Sequence, residues 1–183
     1  MGEIRHQVDP VLFFIAAFAP DEQPLCWARQ QAEGRFGPVA LESETFRFDE
    51  FTRYYSPEMG PVLYKRFWAF EQCIDPSELT AAKRLTNDWE LKSPTIAGIA
   101  RPLNLDPGYI ELGKLVLAST KDFAHRIYLS QGIYAEITLI YTKKRWTALP
   151  WTYADYQSDG YHAFFTQCRE YLAQKRKSSA GAR

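Results

Sequence analysis

The sequence predicts an α+β domain with a ferredoxin-like βαββαβ core, to which a C-terminal β-hairpin and a helix are added. Three observations support this fold class. Strand-like and helix-like segments follow one another along the first 105 residues in the order strand, helix, strand, strand, helix, strand. Residues 125–142 then have the pattern of two strands about a short turn, and an apolar stripe with helical spacing follows at residues 161–172.

The composition indicates one globular domain, residues 1–183, with an ordered core over about residues 11–172. A chain of this length that is 46% hydrophobic can bury about two-thirds of its unfolded surface. The 22 Lys and Arg residues balance the 22 Asp and Glu residues. Because the net charge is zero, we expect no anionic membrane as a partner and do not favour nucleic acid.

The cysteines indicate a reducing environment. Cys26, Cys73 and Cys168 are odd in number, lie far apart and form no CxxC pair, so we predict a cytoplasmic protein without a zinc site. The apolar run at residues 11–19 is nine residues long, whereas a helix that spans a bilayer needs about 20. It also lacks the pattern of a signal peptide, and we interpret it as a buried strand.

The first part of the predicted core is a strand followed by a helix. The strand covers residues 11–18 and ends before Pro20. Asp21 is a candidate N-cap for the helix, whose apolar residues recur with helical spacing as far as Phe36. The segments that follow are a strand at residues 39–48, a connection at 52–61 and a strand with two apolar faces at 63–74.

The second helix of the core has a well-marked start. Asp75 is a candidate N-cap, Pro76 stands in the first turn, and Glu78 adds a negative charge where the helix dipole favours it. The helix is predicted to stop by Pro94, and a short strand at residues 101–105 completes the core.

Residues 106–119 allow two interpretations. Asp106-Pro107-Gly108-Tyr109 has the composition of a type II turn. Alternatively, Asp106 caps a helix over residues 107–119, with proline in its first turn. The helix is slightly favoured, and the choice between helix and strand stays open.

The C-terminal part is predicted to contain a hairpin and a helix. Strands at residues 125–129 and 133–142 flank the turn 130–132. The helix covers residues 161–172. The tail, residues 173–183, has four basic residues and no acidic one and is predicted to be disordered.

Several long motifs resemble one known family. They are YYSPEMG, NLDPGYI, LASTKDFAHRIYLSQGIYAEITLIY and PWTYADY, and the likeness extends over roughly Val11 to Leu172. They resemble the uncharacterised bacterial family called domain of unknown function 4416. The resemblance implies no reaction, ligand or catalytic residue. Some relatives have carried a GTP-binding label, but this sequence has no GxxxxGK[ST] loop to hold the phosphates.

The segment from Lys121 to Arg126 is the main candidate for a binding site. Lysine and arginine bind phosphate and carboxylate groups, and histidine can move a proton near neutral pH. The sequence therefore predicts a small anionic ligand, phosphorylated or nucleotide-like, in a cleft lined by residues 101–141. The predicted ligand-binding residues are Lys121, His125, Arg126, Glu136, Tyr54, Glu58 and Trp151.

Three residues are candidates for catalysis: His125, Glu136 and Asp106. Glu136 lies within a predicted strand, where an acid is unfavourable unless that face is wet or the charge is paired. Asp106 is better explained as a cap or turn residue, and Lys121 and His125 as a solvated loop residue and a structural histidine. Whether the protein is an enzyme stays open, and the cofactor is unknown.

Two other functions are considered. A module that binds RNA or single-stranded nucleic acid would use the aromatic strand around Tyr64, Arg66, Trp68 and Phe70 together with the basic tail. A structural or oligomeric protein would have no chemistry, and the sequence leaves the oligomeric state open. The chain has no GxSxG or HExxH motif, so neither a serine nucleophile nor a metal site is predicted.

Overall fold

The computed structural model describes residues 8–181. The described part contains nine strands and four helices. The strands are β1 (Leu12–Ala19), β2 (Val39–Glu42), β3 (Phe46–Arg47), β4 (Tyr64–Phe70), β5 (Asn104–Ile110), β6 (Lys114–Ser119), β7 (Ile127–Ser130), β8 (Ile133–Thr142) and β9 (Arg145–Ala148). The helices are α1 (Glu22–Phe36), α2 (Ser56–Met59), α3 (Leu79–Lys92) and α4 (Asp159–Gly181).

All strands belong to one antiparallel sheet. Its order is β2-β4-β1-β5-β6-β8-β7, with β3 added beside β4 and β9 beside β8. The predicted α+β class is confirmed, and so is the hairpin formed by β7 and β8. The sheet is larger than predicted, because β6 and β9 extend it.

Strand β1 lies at the centre of three layers. Each of its residues is buried, because helices cover both faces of the sheet. Phe13, Ile15 and Ala17 pack in one core with α1 and α3. Leu12 and Phe14 pack in a second core with the apolar stripe of α4. The uninterrupted apolar sequence at residues 11–19 is therefore that of a strand buried on both sides.

The helix starts agree with the capping signals in the sequence. Asp21 caps α1, and its Oδ1 accepts a hydrogen bond from the backbone N–H of Gln23 at 2.9 Å. Asp75 and Glu78 form a capping box before α3. The Asp75 side chain accepts a hydrogen bond from a backbone N–H of the first turn, and the Glu78 side chain accepts one from the backbone N–H of Asp75.

The favoured helix over residues 107–119 is wrong, because this segment forms strands β5 and β6. Asp106 lies opposite Ala16 of β1, so it is neither a helix cap nor a turn residue. Pro107 lies opposite Ile15 of β1 and precedes the part of β5 that pairs with β6. A Cβ on Gly108 would lie 2.5 Å from the carbonyl oxygen of Val116, so glycine is needed for the close approach of β6.

The predicted disorder of residues 173–183 is wrong as far as the structure describes them. Helix α4 continues to Gly181. The Lys175 ammonium donates a hydrogen bond to the carbonyl of Glu71, and Arg176 donates one to the carbonyl of Pro10 at 3.0 Å. These contacts order the first turns of the basic segment, whereas residues 182–183 lie outside the described part. No helix between residues 8 and 181 is long and apolar enough to cross a membrane.

Candidate functional site

Charged side chains from distant parts of the chain meet around Asp106. We call this group the ionic cluster, and the charge of Asp106 acts on the hydroxyls of Tyr55, Tyr153 and Tyr156. Convergence of charged groups from many elements is typical of binding and catalytic sites. The charged members that form ion pairs are Glu58, Lys65, Lys83, Glu90, Arg101, Asp106, Arg126, Glu136 and Asp155, with His125 beside them. Lys121 is included at the edge, where its ammonium lies over the ring of Tyr54.

The Asp106 carboxylate is held by two donors and still reaches solvent. Its Oδ1 lies 3.0 Å from the Lys83 ammonium, and its Oδ2 accepts a hydrogen bond from the Asn104 amide at 2.8 Å. Desolvation raises the pKa of Asp106, but the charges of Lys83 and Lys65 and these hydrogen bonds outweigh it, so the pKa is lowered. The side chain is 33% exposed, whereas that of Lys83 is 7% exposed. Asp106 is thus an ionised, accessible group in otherwise buried surroundings.

Arg101 contacts two carboxylates at long distance. Its guanidinium lies 3.7 Å from Glu58 and 3.5 Å from Glu90, and it also donates to the side-chain oxygen of Asn104. Glu90 accepts the backbone N–H of Leu105 at 2.8 Å. Desolvation raises the pKa of Glu90, although Lys83 and Arg101 oppose this. Both Glu90 and Arg101 were missed in the sequence.

Arg126 and Glu136 form a buried ion pair. The Arg126 Nε lies 2.7 Å from Glu136 Oε2, and the two side chains are 2% and 1% exposed. Arg126 also donates to Ser119 Oγ at 2.7 Å, to the carbonyl of Lys121 at 2.9 Å and to the hydroxyl of Tyr153 at 2.7 Å. Because a guanidinium has five N–H donors, four of which serve protein groups here, Arg126 holds the site together. The sequence suggested that Arg126 binds the ligand directly. Only one of its five N–H donors remains for such a contact.

His125 completes this group. Its Nε2 lies 3.2 Å from Glu136 Oε2. The imidazole is stacked on Trp151, with ring centroids 5.3 Å apart and an interplanar angle of 11°. Phe123 stacks at 6.0 Å and 26°. The indole of Trp151 is fixed in turn by a hydrogen bond to the carbonyl of Ile137 at 2.9 Å.

Tyr54, Glu58 and Lys121 lie at the rim. The Lys121 ammonium stands 5.2 Å from the ring centre of Tyr54, which is 71% exposed. Tyr54 packs edge-on against Tyr55, and the guanidinium of Arg101 lies 5.7 Å from the ring centre of Tyr55. The two rings therefore connect Lys121 with Arg101. The structure thus brings the eight predicted site residues to one region, with His125, Arg126, Glu136 and Trp151 in direct contact.

Lys65 and Asp155 are a second buried pair that the sequence did not single out. Their nitrogen and oxygen atoms are 2.6 Å apart, and both side chains are nearly inaccessible. Tyr156, next in the chain, has a buried hydroxyl without a hydrogen-bond partner in the described residues. Burial and then the charges of Asp155 and Asp106 raise the pKa of this hydroxyl well above its ordinary value.

A signal for some of the missed residues exists on α3. Leu79 and Ala82 mark the buried face of this helix, and Lys83, Thr86 and Glu90 continue that face. Polar residues on a buried helix face need partners from another element, so they could have been recognised as members of a polar network. Asp155 had no such signal, because it lies in a 3-10 turn of only three residues, Asp155–Gln157, which is too short to show a buried face.

The aromatic strand proposed as a nucleic-acid platform is buried. Trp68 and Phe70 are about 1% and 0% exposed, and Arg66 is paired with Glu22 at 2.6 Å. Bases cannot stack on these rings. The structure therefore gives no support to the stacking of bases on Trp68 and Phe70.

A family model described as domain of unknown function (DUF4416) matches residues 9–171. The chain belongs to this family. The resemblance noted in the sequence is confirmed, and the matched range contains every residue of the ionic cluster in this DUF4416 protein. No curated protein and no solved structure matches the chain.

Two other kinds of site were considered for this DUF4416 chain. Within residues 8–181, no group of three or more His, Cys, Asp or Glu side chains could hold a metal ion. A cavity of about 180 Å³ lies away from the ionic cluster, between the β2–β3 region and α4. Of the polar residues that line it, Glu42 already accepts a hydrogen bond from Trp68 and pairs with Arg29 at 3.3 Å. The ionic cluster is therefore the best candidate site.

Proposed function

We propose that the protein binds a small anionic ligand, phosphorylated or nucleotide-like, in a cleft at the ionic cluster. The observation that carries this proposal is the arrangement of Arg101 and Lys121 on either side of the Tyr54–Tyr55 ring pair. Both side chains lie at the rim, and both belong to the segment from residue 101 to residue 141. Two cations separated by aromatic rings are suited to hold an anion that also carries a planar group.

The Arg101 guanidinium makes no close ion pair and could bind an anionic ligand. A charge-assisted N–H···O bond is about 2.7–2.9 Å long. The carboxylates of Glu58 and Glu90 lie at 3.7 and 3.5 Å from Arg101, so neither is a close partner. The side chain of Glu58 is 62% exposed, and a phosphate could displace it from the guanidinium.

Asp106 would give the site its selectivity. Its carboxylate accepts hydrogen bonds only, is partly exposed and is fixed by Lys83 and Asn104. It would therefore favour a ligand that has hydroxyl or amino groups beside the anionic group. Tyr54, Glu58 and Trp151 would close the pocket in this proposal.

The test uses inorganic phosphate, a sugar phosphate and adenine and guanine nucleotides as probes in isothermal titration calorimetry. Arg101→Ala and Lys121→Ala should each weaken binding by about tenfold or more, as expected for the loss of a charged hydrogen-bond donor. Arg35→Ala is the control, because Arg35 is exposed at the end of α1. Its neighbour Phe36 packs on Phe13, near the start of β1, whereas Asp106 lies opposite Ala16 of the same strand. Affinities that are equal in all three variants would contradict the site.

A second function, interaction with another protein chain, is favoured by strand β7. It is an edge strand, and its Ile127, Tyr128 and Leu129 are 70%, 57% and 41% exposed. Edges of this kind usually carry charges or proline, which prevent pairing with another chain, and β7 has neither. Ile137 and Trp151 add to the exposed apolar surface.

We also propose the finer fold assignment, a ferredoxin-like βαββαβ unit within the larger sheet. The order β2-β4-β1-β5, antiparallel at each step, supports it. Helices α1 and α3 connect these strands and share one core on the same face. A single domain and a cytoplasmic location remain predictions, and the free cysteines support the latter.

A further inference from the structure

The imidazole of His125 has one engaged nitrogen and one open nitrogen. Nε2 lies 3.2 Å from Glu136 Oε2, and Nδ1 has no hydrogen-bond partner within residues 8–181. A neutral imidazole carries one N–H and one lone pair, and a carboxylate can only accept. The proton must therefore be on Nε2, and the lone pair on Nδ1.

The Glu136 carboxylate also accepts hydrogen bonds from two other neighbours. Arg126 Nε donates to the same Oε2 at 2.7 Å, and the Thr138 hydroxyl donates to Oε1 at 3.1 Å. This carboxylate is the counter-charge of the buried Arg126 guanidinium, which is unfavourable without a partner in a poorly solvated site. The carboxylate is thus available to stabilise a positive charge on His125.

The orientation of the ring is fixed as well. Trp151 and Phe123 stack on His125, at interplanar angles of 11° and 26°. The His125 side chain is 22% exposed, whereas the Glu136 side chain is 1% exposed. The Glu136 contact is therefore at the buried end of the imidazole, which leaves Nδ1 as its open nitrogen.

We propose that His125 is an acid–base residue of this site and that Nδ1 is its working nitrogen. This inference rests on the proposed function, because it requires a ligand in the same cleft. Nδ1 takes the proton of a ligand hydroxyl or a bound water: the O–H bond breaks, the electron pair stays on oxygen, and an N–H bond forms. The imidazolium is balanced by Glu136, and the proton returns by the reverse step. Glu136 and Arg126 are positioning residues.

The test is the tautomer of His125, measured by long-range ¹H–¹⁵N correlation on ¹⁵N-histidine protein without ligand, at alkaline pH. We expect the Nε2–H form. His162 serves as an internal control, because its Nε2 faces the carbonyl of Tyr156 at 2.9 Å and should show the same form. His125→Gln assigns the signal. An Nδ1–H form of His125, or equal amounts of both forms, would overturn the proposal.

Glu136→Gln tests the role of the carboxylate. It should shift the tautomer ratio of His125 and leave that of His162 unchanged. If this variant does not fold, Thr138→Val is the second variant, because it removes only the contact to Glu136 Oε1 and should leave His125 in the Nε2–H form. A mixed ratio in Thr138→Val while His162 is unaffected would contradict the assigned geometry.

A chemical readout addresses the open nitrogen. Diethyl pyrocarbonate acylates the unprotonated nitrogen of an accessible imidazole, and peptide mapping should find His125 modified. Absence of modification in folded protein would contradict an accessible Nδ1. The two proposals can fail independently. If His125 has the Nε2–H form but the protein binds neither phosphate nor nucleotide, only the anion site is overturned. If the protein binds one of these ligands but His125 has the Nδ1–H form, only the acid–base role is overturned.

Discussion

Lys65 and Asp155, which are 90 residues apart in the chain, form an ion pair of 2.6 Å whose side chains are 3% and 5% exposed. Rings of five aromatic residues lie within 5.8 Å of the Lys65 ammonium. This pair connects β4 with the segment before α4, and both residues belong to the ionic cluster. The Lys65 charge also contributes to the lowered pKa of Asp106.

Asp155→Ala should lower the free energy of unfolding by about 3–5 kcal/mol, because it leaves the Lys65 charge buried without a partner. Urea denaturation followed by tryptophan fluorescence measures the change. The double variant Lys65→Met/Asp155→Leu should be more stable than the single one, since it removes both charges. A control is Glu111→Ala, which breaks the exposed pair with Lys114 and should cost at most about 1 kcal/mol. A loss in Asp155→Ala no larger than this would contradict the buried pair.

Gly108→Ala should destabilise the protein by about 1–3 kcal/mol through overpacking. Its Cβ would lie 2.5 Å from the carbonyl oxygen of Val116 and 2.7 Å from the ring of Phe14, so β5 and β6 must shift. Gly113→Ala is the matched control, because nothing lies within 4 Å of a Cβ at that position. Thermal unfolding of both variants provides the comparison, and equal melting temperatures would show that β5 and β6 are not this close.

Asp106→Asn should reduce stability at neutral pH and have little effect in acid. The pKa of Asp106 is lowered in the folded state, because Lys83 and Lys65 outweigh desolvation. A carboxyl with a lowered folded pKa contributes stability above its unfolded pKa of about 3.9, and this is lost as the pH falls through the folded pKa.

Unfolding of Asp106→Asn and wild type by urea at several pH values measures this difference. Asp88→Asn is the control, since Asp88 is exposed on α3 and makes no ion pair within residues 8–181. A stability difference for Asp106→Asn that grows towards acid pH would refute the predicted sign.

Ile127→Lys should reduce self-association if β7 is an interaction surface. A lysine there places a charge on an apolar edge, which opposes pairing of two strands. Light scattering coupled to size-exclusion chromatography measures the mass over a range of concentrations. Leu91→Lys is the control, because Leu91 is 88% exposed on α3, outside the patch. A wild-type protein that is monomeric at all concentrations would argue against association through this edge.

Much of the fold follows from local signals. The start of α1 at Asp21 and that of α3 at Asp75 were predicted from capping residues, which act within a few positions of the chain. The hairpin of β7 and β8 followed from alternation and turn composition. The error at residues 107–119 has a long-range cause: pairing of β5 with β1 outweighs the helix-start signal of Asp106 and Pro107.

The candidate site divides in the same way. His125, Arg126 and Glu136 were found because they are charged residues close together in sequence, and Glu136 stood out within a strand. Arg101 and Asp155 were missed, because each comes from a distant element and has no local feature that marks it, whereas Lys83 was missed although it continues the buried face of α3. Their grouping depends on the register of β5 against β1 and on the position of α3.

The sequence by itself therefore determined the α+β class, the caps and the central buried strand, and it singled out the segment from Lys121 to Glu136 as a candidate site. Only the tertiary structure decided that residues 107–119 are strands, that Arg126 is occupied by protein groups and that His125 has one open nitrogen. The physical reason is the distance along the chain over which each interaction acts. Capping and alternation act between neighbours in the chain, whereas strand pairing and buried ion pairs join residues up to 90 positions apart.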